Sequence, residues 1–199
     1  MYRHAFVLMA IVFLTACSHY KLISPENRVH VVDYTVEPQI TWSRITEADL
    51  IVWTVDGPLL EAIQFFKPIK DGYPLFSFYE DFNDYKKLPV FKKDMTAIEV
   101  QEFVADSMTM AGGGRQSMSN MMGFDIDGKN LRPFRFGSYP GFRFDITYLS
   151  PVGLLYEGFV VGAVVDEELY LIGYTGTMEY YYPKHKDDAE RLVLSIEMP

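Results

Sequence analysis

The chain contains a single cysteine, which lies at position 17, close behind an unbroken apolar run from Ala5 to Leu14. The basic residue Arg3 precedes the run, and the small residue Ala16 stands directly before the cysteine. A charged start, an apolar stretch too short to span a bilayer and a small residue before a cleavage point are typical of a secretory signal. We therefore expect residues 1–16 to be removed and the rest of the chain to be exported.

A single cysteine also limits how the exported part can be stabilised. It can form no disulfide within the chain and no site with several thiolate ligands. Many small exported domains depend on disulfides, so this chain must depend on its apolar core. Hydrophobic residues make up 49% of the sequence and aromatic residues 16%, which is ample for a packed core.

The four residues Leu14-Thr15-Ala16-Cys17 resemble the lipobox of bacterial lipoproteins. The resemblance implies a diacylglyceryl group on the sulfur of Cys17 and, in many Gram-negative species, a third acyl chain such as palmitate on its amine. Two or more acyl chains anchor a protein stably, whereas one alone binds only marginally. Residue 18 is Ser rather than Asp, which by resemblance to the enterobacterial sorting rule favours the outer membrane over the inner. The resemblance thus implies a lipid-anchored domain that faces the periplasm of a Gram-negative bacterium.

The charge balance excludes two classes of partner. The chain has 18 Lys and Arg against 27 Asp and Glu, a formal net charge of −9. An acidic surface repels nucleic-acid phosphates and anionic lipid headgroups. We therefore expect no nucleic-acid partner, and we expect the membrane contact to depend on the lipid of Cys17.

Apolar periodicity predicts a series of strands in the rest of the chain. Strands are predicted within residues 29–36, 40–43, 50–55, 142–148, 155–165 and 169–174. For residues 59–69 a strand is favoured over a short helix, because Asp56-Gly57 is typical of a hairpin turn. The long run at 155–165 is expected to be a central strand, and Asp166-Glu167-Glu168 a turn.

Two helices are predicted. Thr96 and Glu99 have the spacing of a capping box, and apolar residues follow them at helical intervals. A second helix is predicted near the end of the chain, up to Ile196, with Asp187 and Asp188 in its first turn, where they would favour the helix dipole. The sequence therefore predicts an α+β fold, an antiparallel β-sheet flanked by helices. We predict a signal peptide at 1–16, a tether at 17–28 and a single α+β domain at 29–199.

The order of elements in the last hundred residues, and above all the strand-then-helix ending from Leu169 to Ile196, resembles the PsbP-like fold. That resemblance implies an α/β/α sandwich. Proteins of that family mostly bind partners and share no catalytic residues, so the resemblance implies no active site here.

Few residues of the sequence point to chemistry. His19, His30 and His185 have no metal-site spacing and are expected to be surface histidines, so no metal or other cofactor is predicted. The segment Asp125-Ile126-Asp127-Gly128 resembles a calcium loop but lacks its closing Glu, and a turn is favoured there. The carboxylates show no spacing that selects a catalytic pair. No catalytic residue is identified, and a non-catalytic role is favoured while an enzymatic one stays open.

Tyrosines carry the remaining functional signal. In the run Tyr180-Tyr181-Tyr182 the three side chains cannot all face inward, and tyrosine suits interfaces because it joins an apolar ring to a polar tip. We predict that these residues bind a partner. The sequence thus favours a non-catalytic, membrane-anchored lipoprotein that binds an envelope protein or an apolar ligand, in envelope assembly or maintenance. The alternatives are an envelope hydrolase acting on glycan or ester, and a lipoprotein that binds a small ligand or calcium.

Overall fold

The computed structural model describes residues 20–46, 50–76, 88–111, 126–150 and 152–199. Within them, the strands are β1 (Lys21–Ile23), β2 (Val29–His30), β3 (Thr35–Val36), β4 (Trp42–Thr46), β5 (Leu50–Thr54), β6 (Glu61–Phe66), β7 (Asp127–Phe136), β8 (Tyr139–Leu149), β9 (Leu155–Val165) and β10 (Glu168–Thr177). The helices are α1 (Ala97–Ala111) and α2 (Tyr181–Leu194).

Eight of these strands form one antiparallel sheet in the order β1-β4-β5-β6-β10-β9-β8-β7, and β2 pairs with β3 in a separate hairpin. The sheet consists of two meanders, β4-β5-β6 and β7-β8-β9-β10, joined where β6 pairs with β10. In that pairing Phe65 lies opposite Ile172, and Glu61 lies opposite Gly176. The predicted strand at 59–69 and the interior position of 155–165 are both confirmed.

Each face of the sheet is covered by one helix and has its own apolar core. On one face, Phe159 and Tyr174 pack with Ala189 and Leu192 of α2. On the other face, core residues of β8 and β10 pack with α1, which contributes Val100, Phe103 and Val104. The predicted α+β fold, an antiparallel sheet flanked by helices, is therefore confirmed. The finer likeness to the PsbP-like fold stays a prediction.

The start of α1 is stabilised by the predicted capping box. The backbone N–H of Thr96 donates to Oε2 of Glu99 at 2.7 Å, and the N–H of Glu99 lies 3.4 Å from Oγ1 of Thr96. The bond from the Thr96 backbone lowers the pKa of Glu99, because it stabilises the charged carboxylate. The apolar side chains of α1, including Val100, Phe103 and Val104, then pack on the sheet.

The two edge strands are absent from the sequence prediction. β7 is mostly exposed and contains Asp127-Gly128, which indicates a turn, and Pro133, which is tolerated in an edge strand. β1 lies within the stretch predicted as tether, and it pairs with β4 so that Ile23 is buried opposite Trp42. The sheet therefore begins at Lys21. A strand as exposed as β7 or as short as β1 lacks the alternation of apolar and polar residues on which a sequence prediction of strands depends.

The closing helix begins earlier than predicted. α2 starts at Tyr181, so its first turn contains no acid. The prediction that Asp187 and Asp188 occupy the first turn is therefore wrong. Pro183 suggests a break, yet proline is compatible with the first turn of a helix, where its missing N–H has no intrahelical partner.

The centre of the sheet requires glycine at position 162. A Cβ atom there would lie 2.5 Å from the carbonyl oxygen of Tyr170 and 2.8 Å from Cζ of Phe142. The first contact is with backbone, which cannot move without disturbing the ladder between β9 and β10. At Gly173, on the neighbouring strand, the nearest atom would be Oε1 of Gln64 at 3.8 Å, an ordinary contact.

We predict that Gly162→Ala lowers the free energy of unfolding by about 2 kcal/mol or more, since overpacking in a core typically costs about 1–3 kcal/mol. Gly173→Ala is the matched control and should change it by less than about 1 kcal/mol. Urea denaturation of both variants measures the difference. Equal losses would contradict the packing between β9 and its neighbours.

Candidate functional site

Exposed apolar side chains gather at one end of the sheet, where β5, β8 and β10 end and β6 and β9 begin. We call this surface the apolar end, and its residues are Val55, Leu59, Leu149, Val152, Leu154, Leu155 and Tyr180. The side chains of Leu59 and Val152 are 81% and 80% exposed. Single exposed apolar residues are normal on a protein surface, whereas a cluster of them marks an interaction site.

Hydrogen bonds join the turns of the apolar end to one another. The hydroxyl of Tyr156, on β9, donates to the carbonyl of Leu59 in the turn between β5 and β6. The N–H of Met178, after β10, donates to the carbonyl of Leu155 at 2.9 Å. The cross-strand pair of Leu155 with Leu149 links β8 to the same surface. The apolar side chains therefore project from one connected framework.

The opposite end of the sheet is charged. Its turn between β9 and β10 contains Asp166 and Glu167, and Glu168 begins β10. Glu167 forms an ion pair with Lys93 at 2.5 Å. The turn between β9 and β10 is thus charged, whereas the apolar end carries the cluster of exposed apolar side chains.

Of the three predicted partner-binding tyrosines, only Tyr180 is well exposed and belongs to the apolar end. Tyr181 is half-buried. Tyr182 is buried, its ring stacks on Tyr174 with centroids 5.6 Å apart, and burial raises its pKa to about 12. Tyr182 thus packs in the core, and the part of it that a partner could contact is small. The reason is the early start of α2, which puts Tyr182 on the same helix face as the buried Ala189.

A buried carboxylate organises the turn beside the apolar end. Glu61, the first residue of β6, is 1% exposed. Its Oε1 accepts hydrogen bonds from Oγ1 of Thr54 at 2.7 Å, from the N–H of Val55 at 2.5 Å and from the N–H of Asp56 at 2.9 Å. These bonds fix the turn between β5 and β6 and so fix the direction in which Asp56 projects.

Asp56 in turn contacts α2. Its Oδ2 lies 2.6 Å from Nζ of Lys184 and 2.7 Å from Nε2 of His185. The hydrogen bonds from Lys184 and His185 lower the pKa of Asp56, because both favour the charged carboxylate. We call Asp56, Glu61, Lys184 and His185 the polar cluster. His185 is buried, so the prediction of a surface histidine is wrong at that position.

The polar cluster brings together three atoms that could bind a metal ion. One oxygen of Asp56, one oxygen of Glu61 and one ring nitrogen of His185 lie within 4.8 Å of one another. The hydroxyl of Thr54, the last residue of β5, donates to Glu61 and not to His185. The cluster therefore offers ligand atoms for a cation.

The two carboxylates of the polar cluster do not form a glycosidase pair. Retaining and inverting glycosidases need two carboxyl groups that both reach the sugar, about 5–9.5 Å apart. Glu61 is enclosed by the core and committed to the backbone of the turn. The geometry therefore gives the hydrolase alternative no support at this site.

Sequence reasoning missed the polar cluster because Asp56 and Glu61 are more than a hundred residues from Lys184 and His185 in the chain. Positions 56, 61 and 185 come together only through the pairing of β6 with β10 and the packing of α2. One local signal was present: Glu61 is the acid that opens the otherwise mostly apolar strand Glu-Ala-Ile-Gln-Phe-Phe after a turn. A charge at the start of a buried strand indicates a specific partner.

The other predicted sites fall outside this region. Cys17, His19 and Asp125 lie outside the described residues, and His30 is exposed on β2. In the part of the chain that the structure describes, no helix has the length and apolar character needed to cross a bilayer.

Comparisons with known proteins identify no family. No protein-family model matches the chain, and no curated protein matches it. The crystal structure of LpqN, involved in cell envelope biogenesis of Mycobacterium tuberculosis, aligns over 95% of this chain and 97% of its own, with 11% identity and a TM-score of 0.37. A likeness at that level identifies neither fold nor function.

We predict that Glu61→Ala lowers the free energy of unfolding by about 2–3 kcal/mol, because it leaves buried donors of the turn without an acceptor. Glu61→Gln keeps the acceptor oxygen and should cost less than half as much. Thermal and urea denaturation of both variants measure the difference. If the two substitutions cost the same, the hydrogen bonds to the turn are not what the carboxylate contributes.

Proposed function

We propose that this chain is a lipid-anchored protein of the bacterial cell envelope whose domain binds a protein partner through the apolar end. The observation that carries the proposal is the gathering of exposed apolar side chains on the connected turns at one end of an otherwise acidic molecule. Clusters of this kind mark interaction surfaces, because their burial against a partner removes apolar area from water.

The anchor is supported by the sequence around Cys17 and by the early start of the sheet. Only residues 18–20 lie between Cys17 and β1. The four residue steps from Cys17 to Lys21 span at most about 14 Å when the chain is fully extended. The domain would therefore lie close to the membrane, with the exposed side chains of Tyr20 and Leu22 nearest to the anchor in the chain. Ser18 supports the outer membrane of a Gram-negative bacterium as the location.

The direction of β1 supports a partner rather than the anchoring membrane as the occupant of the apolar end. Ile23, at the end of β1, lies opposite Trp42 at the start of β4, and Lys21 lies opposite Arg44 further along. Since Ser43 of β4 pairs with Thr54, the start of β4 is at the apolar end. The chain thus enters the sheet beside the middle of β4 and runs toward the apolar end.

A protein fits the apolar end better than a small apolar ligand does. Small-molecule sites are concave and bury about 70–90% of the ligand. Side chains as exposed as those of Leu59 and Val152 project outward and cannot enclose a ligand. They can insert into the surface of a second protein, where a few buried apolar or aromatic anchors such as Tyr180 carry most of the binding energy.

The test is crosslinking in cells that express the full chain, followed by isolation from the envelope and mass spectrometry. Leu59→Asp and Val152→Asp place a charge on the apolar end, and we expect each to lose a discrete crosslinked protein that the parent captures. Leu194→Asp is the matched control, since Leu194 is 71% exposed at the far end of α2. Surface substitutions of this kind change stability little.

A captured protein that all three variants retain would contradict the proposal. Flotation of the purified chain with anionic lipid vesicles distinguishes a membrane occupant. If Cys17→Ala protein floats with the vesicles and Leu59→Asp abolishes this, the apolar end binds lipid and the partner proposal is wrong.

A further inference from the structure

We propose that Asp56, Glu61 and His185 form a binding site for a divalent transition-metal ion, with zinc as the ion that best fits the ligands. The three side chains offer two carboxylate oxygens and one imidazole nitrogen within 4.8 Å of one another. Asp56 lies in the turn between β5 and β6, Glu61 is the first residue of β6, and His185 lies on α2, so the ion would join the turn and the strand to the helix. This proposal is independent of the lipid anchor and of the apolar end.

The second oxygen of Glu61 is the observation that points to a ligand. Its Oε1 accepts three side-chain and backbone hydrogen bonds, whereas Oε2 is buried and receives none from any residue that the structure describes. A buried polar oxygen without a partner is costly, and native proteins satisfy such atoms with few exceptions. A cation bound between Glu61 and its neighbours would supply the missing partner.

The ligand atoms, which lie within 4.8 Å of one another, would have to rearrange around the ion. Zinc bonds to oxygen and nitrogen of about 2.0–2.2 Å place tetrahedral ligand atoms roughly 3.3 Å apart. Oδ2 of Asp56 and Nε2 of His185 are now 2.7 Å apart, so they would separate slightly. Nε2 must carry no proton when it binds the ion, so the neutral ring would hold its proton on Nδ1. Asp56 is exposed enough to adjust. Glu61 is held by the turn, as ligands are held by their outer partners in established metal sites.

The ligand types select the class of ion. Calcium and magnesium prefer oxygen ligands alone, whereas an imidazole suits zinc and its neighbours in the transition series. Two carboxylates and a neutral imidazole balance the charge of a divalent ion. Three protein ligands leave a fourth tetrahedral position for water, or for a group from another molecule.

Lys184 is the competitor of the ion. Its ammonium lies 2.6 Å from Oδ2 of Asp56, on the oxygen that also contacts His185. An ion must displace this ammonium and is repelled by its charge while it stays near. The side chain of Lys184 is partly exposed and can move into solvent. Removal of its charge should therefore strengthen metal binding, an effect that a purely structural ion pair does not predict.

The test is calorimetric titration of zinc chloride into the full chain, purified in detergent with any affinity tag removed. All variants carry Cys17→Ala, so that the single thiol cannot bind the ion. We expect one zinc per chain and a rise in melting temperature. Glu61→Gln and His185→Gln should each weaken binding at least about tenfold, since even outer partners of metal sites are worth about 10–100-fold.

His30→Gln is the matched control, because it removes an exposed histidine on β2, and it should leave zinc binding unchanged. Lys184→Ala should bind zinc several-fold more tightly. The proposal is overturned if the parent binds no zinc, if folded Glu61→Gln binds it as well as the parent, or if Lys184→Ala binds it no more tightly. Because only purified protein and zinc are used, these outcomes are separate from those of the crosslinking experiment.

Discussion

The antiparallel pairing of β6 with β10 is the interaction on which the rest of the structure depends. It joins two meanders into one sheet, and its register sets Glu61 opposite Gly176. A Cβ atom at Gly176 would lie 2.7 Å from the backbone nitrogen of Tyr182, so glycine at this position lets the start of α2 lie directly on the sheet. His185 then reaches the turn that follows β5. A slip of one residue would turn Glu61 to the other face and separate the polar cluster.

The register of β6 with β10 also places an exposed apolar surface and an enclosed polar cluster at the same end of the molecule. The turn between β5 and β6 presents Leu59 to solvent and directs Glu61 inward, so an exposed apolar surface lies beside an enclosed polar one. A bound ion would tie the same turn to α2 and reduce its freedom before a partner binds. Less ordering would then be needed on association, which favours binding. The opposite, charged end of the sheet has no such arrangement in the described residues.

The sequence predicts the local structure well and the long-range structure poorly. The capping box of Thr96 and Glu99, the central strand at 155–165 and the α+β class follow from periodicity and capping chemistry, which are local properties. β7 and the early start of α2 are missed because Pro133 and Pro183 suggest breaks, whereas an edge strand and a first helical turn tolerate proline. The outward position of Tyr180 and the burial of Tyr182 depend on that start. The polar cluster depends on pairing between positions more than a hundred residues apart, which composition and spacing do not encode.

The most direct test of the account concerns the state of Cys17 in the cell. Intact mass spectrometry of the protein extracted from membranes should show a chain that begins at Cys17 and carries covalently bound acyl chains, and Cys17→Ala should leave the membrane fraction while it stays folded. A chain that retains residues 1–16 with an unmodified thiol, or a Cys17→Ala variant that fractionates wholly with membranes, would contradict the lipid anchor and with it the proposed place of this domain in the envelope.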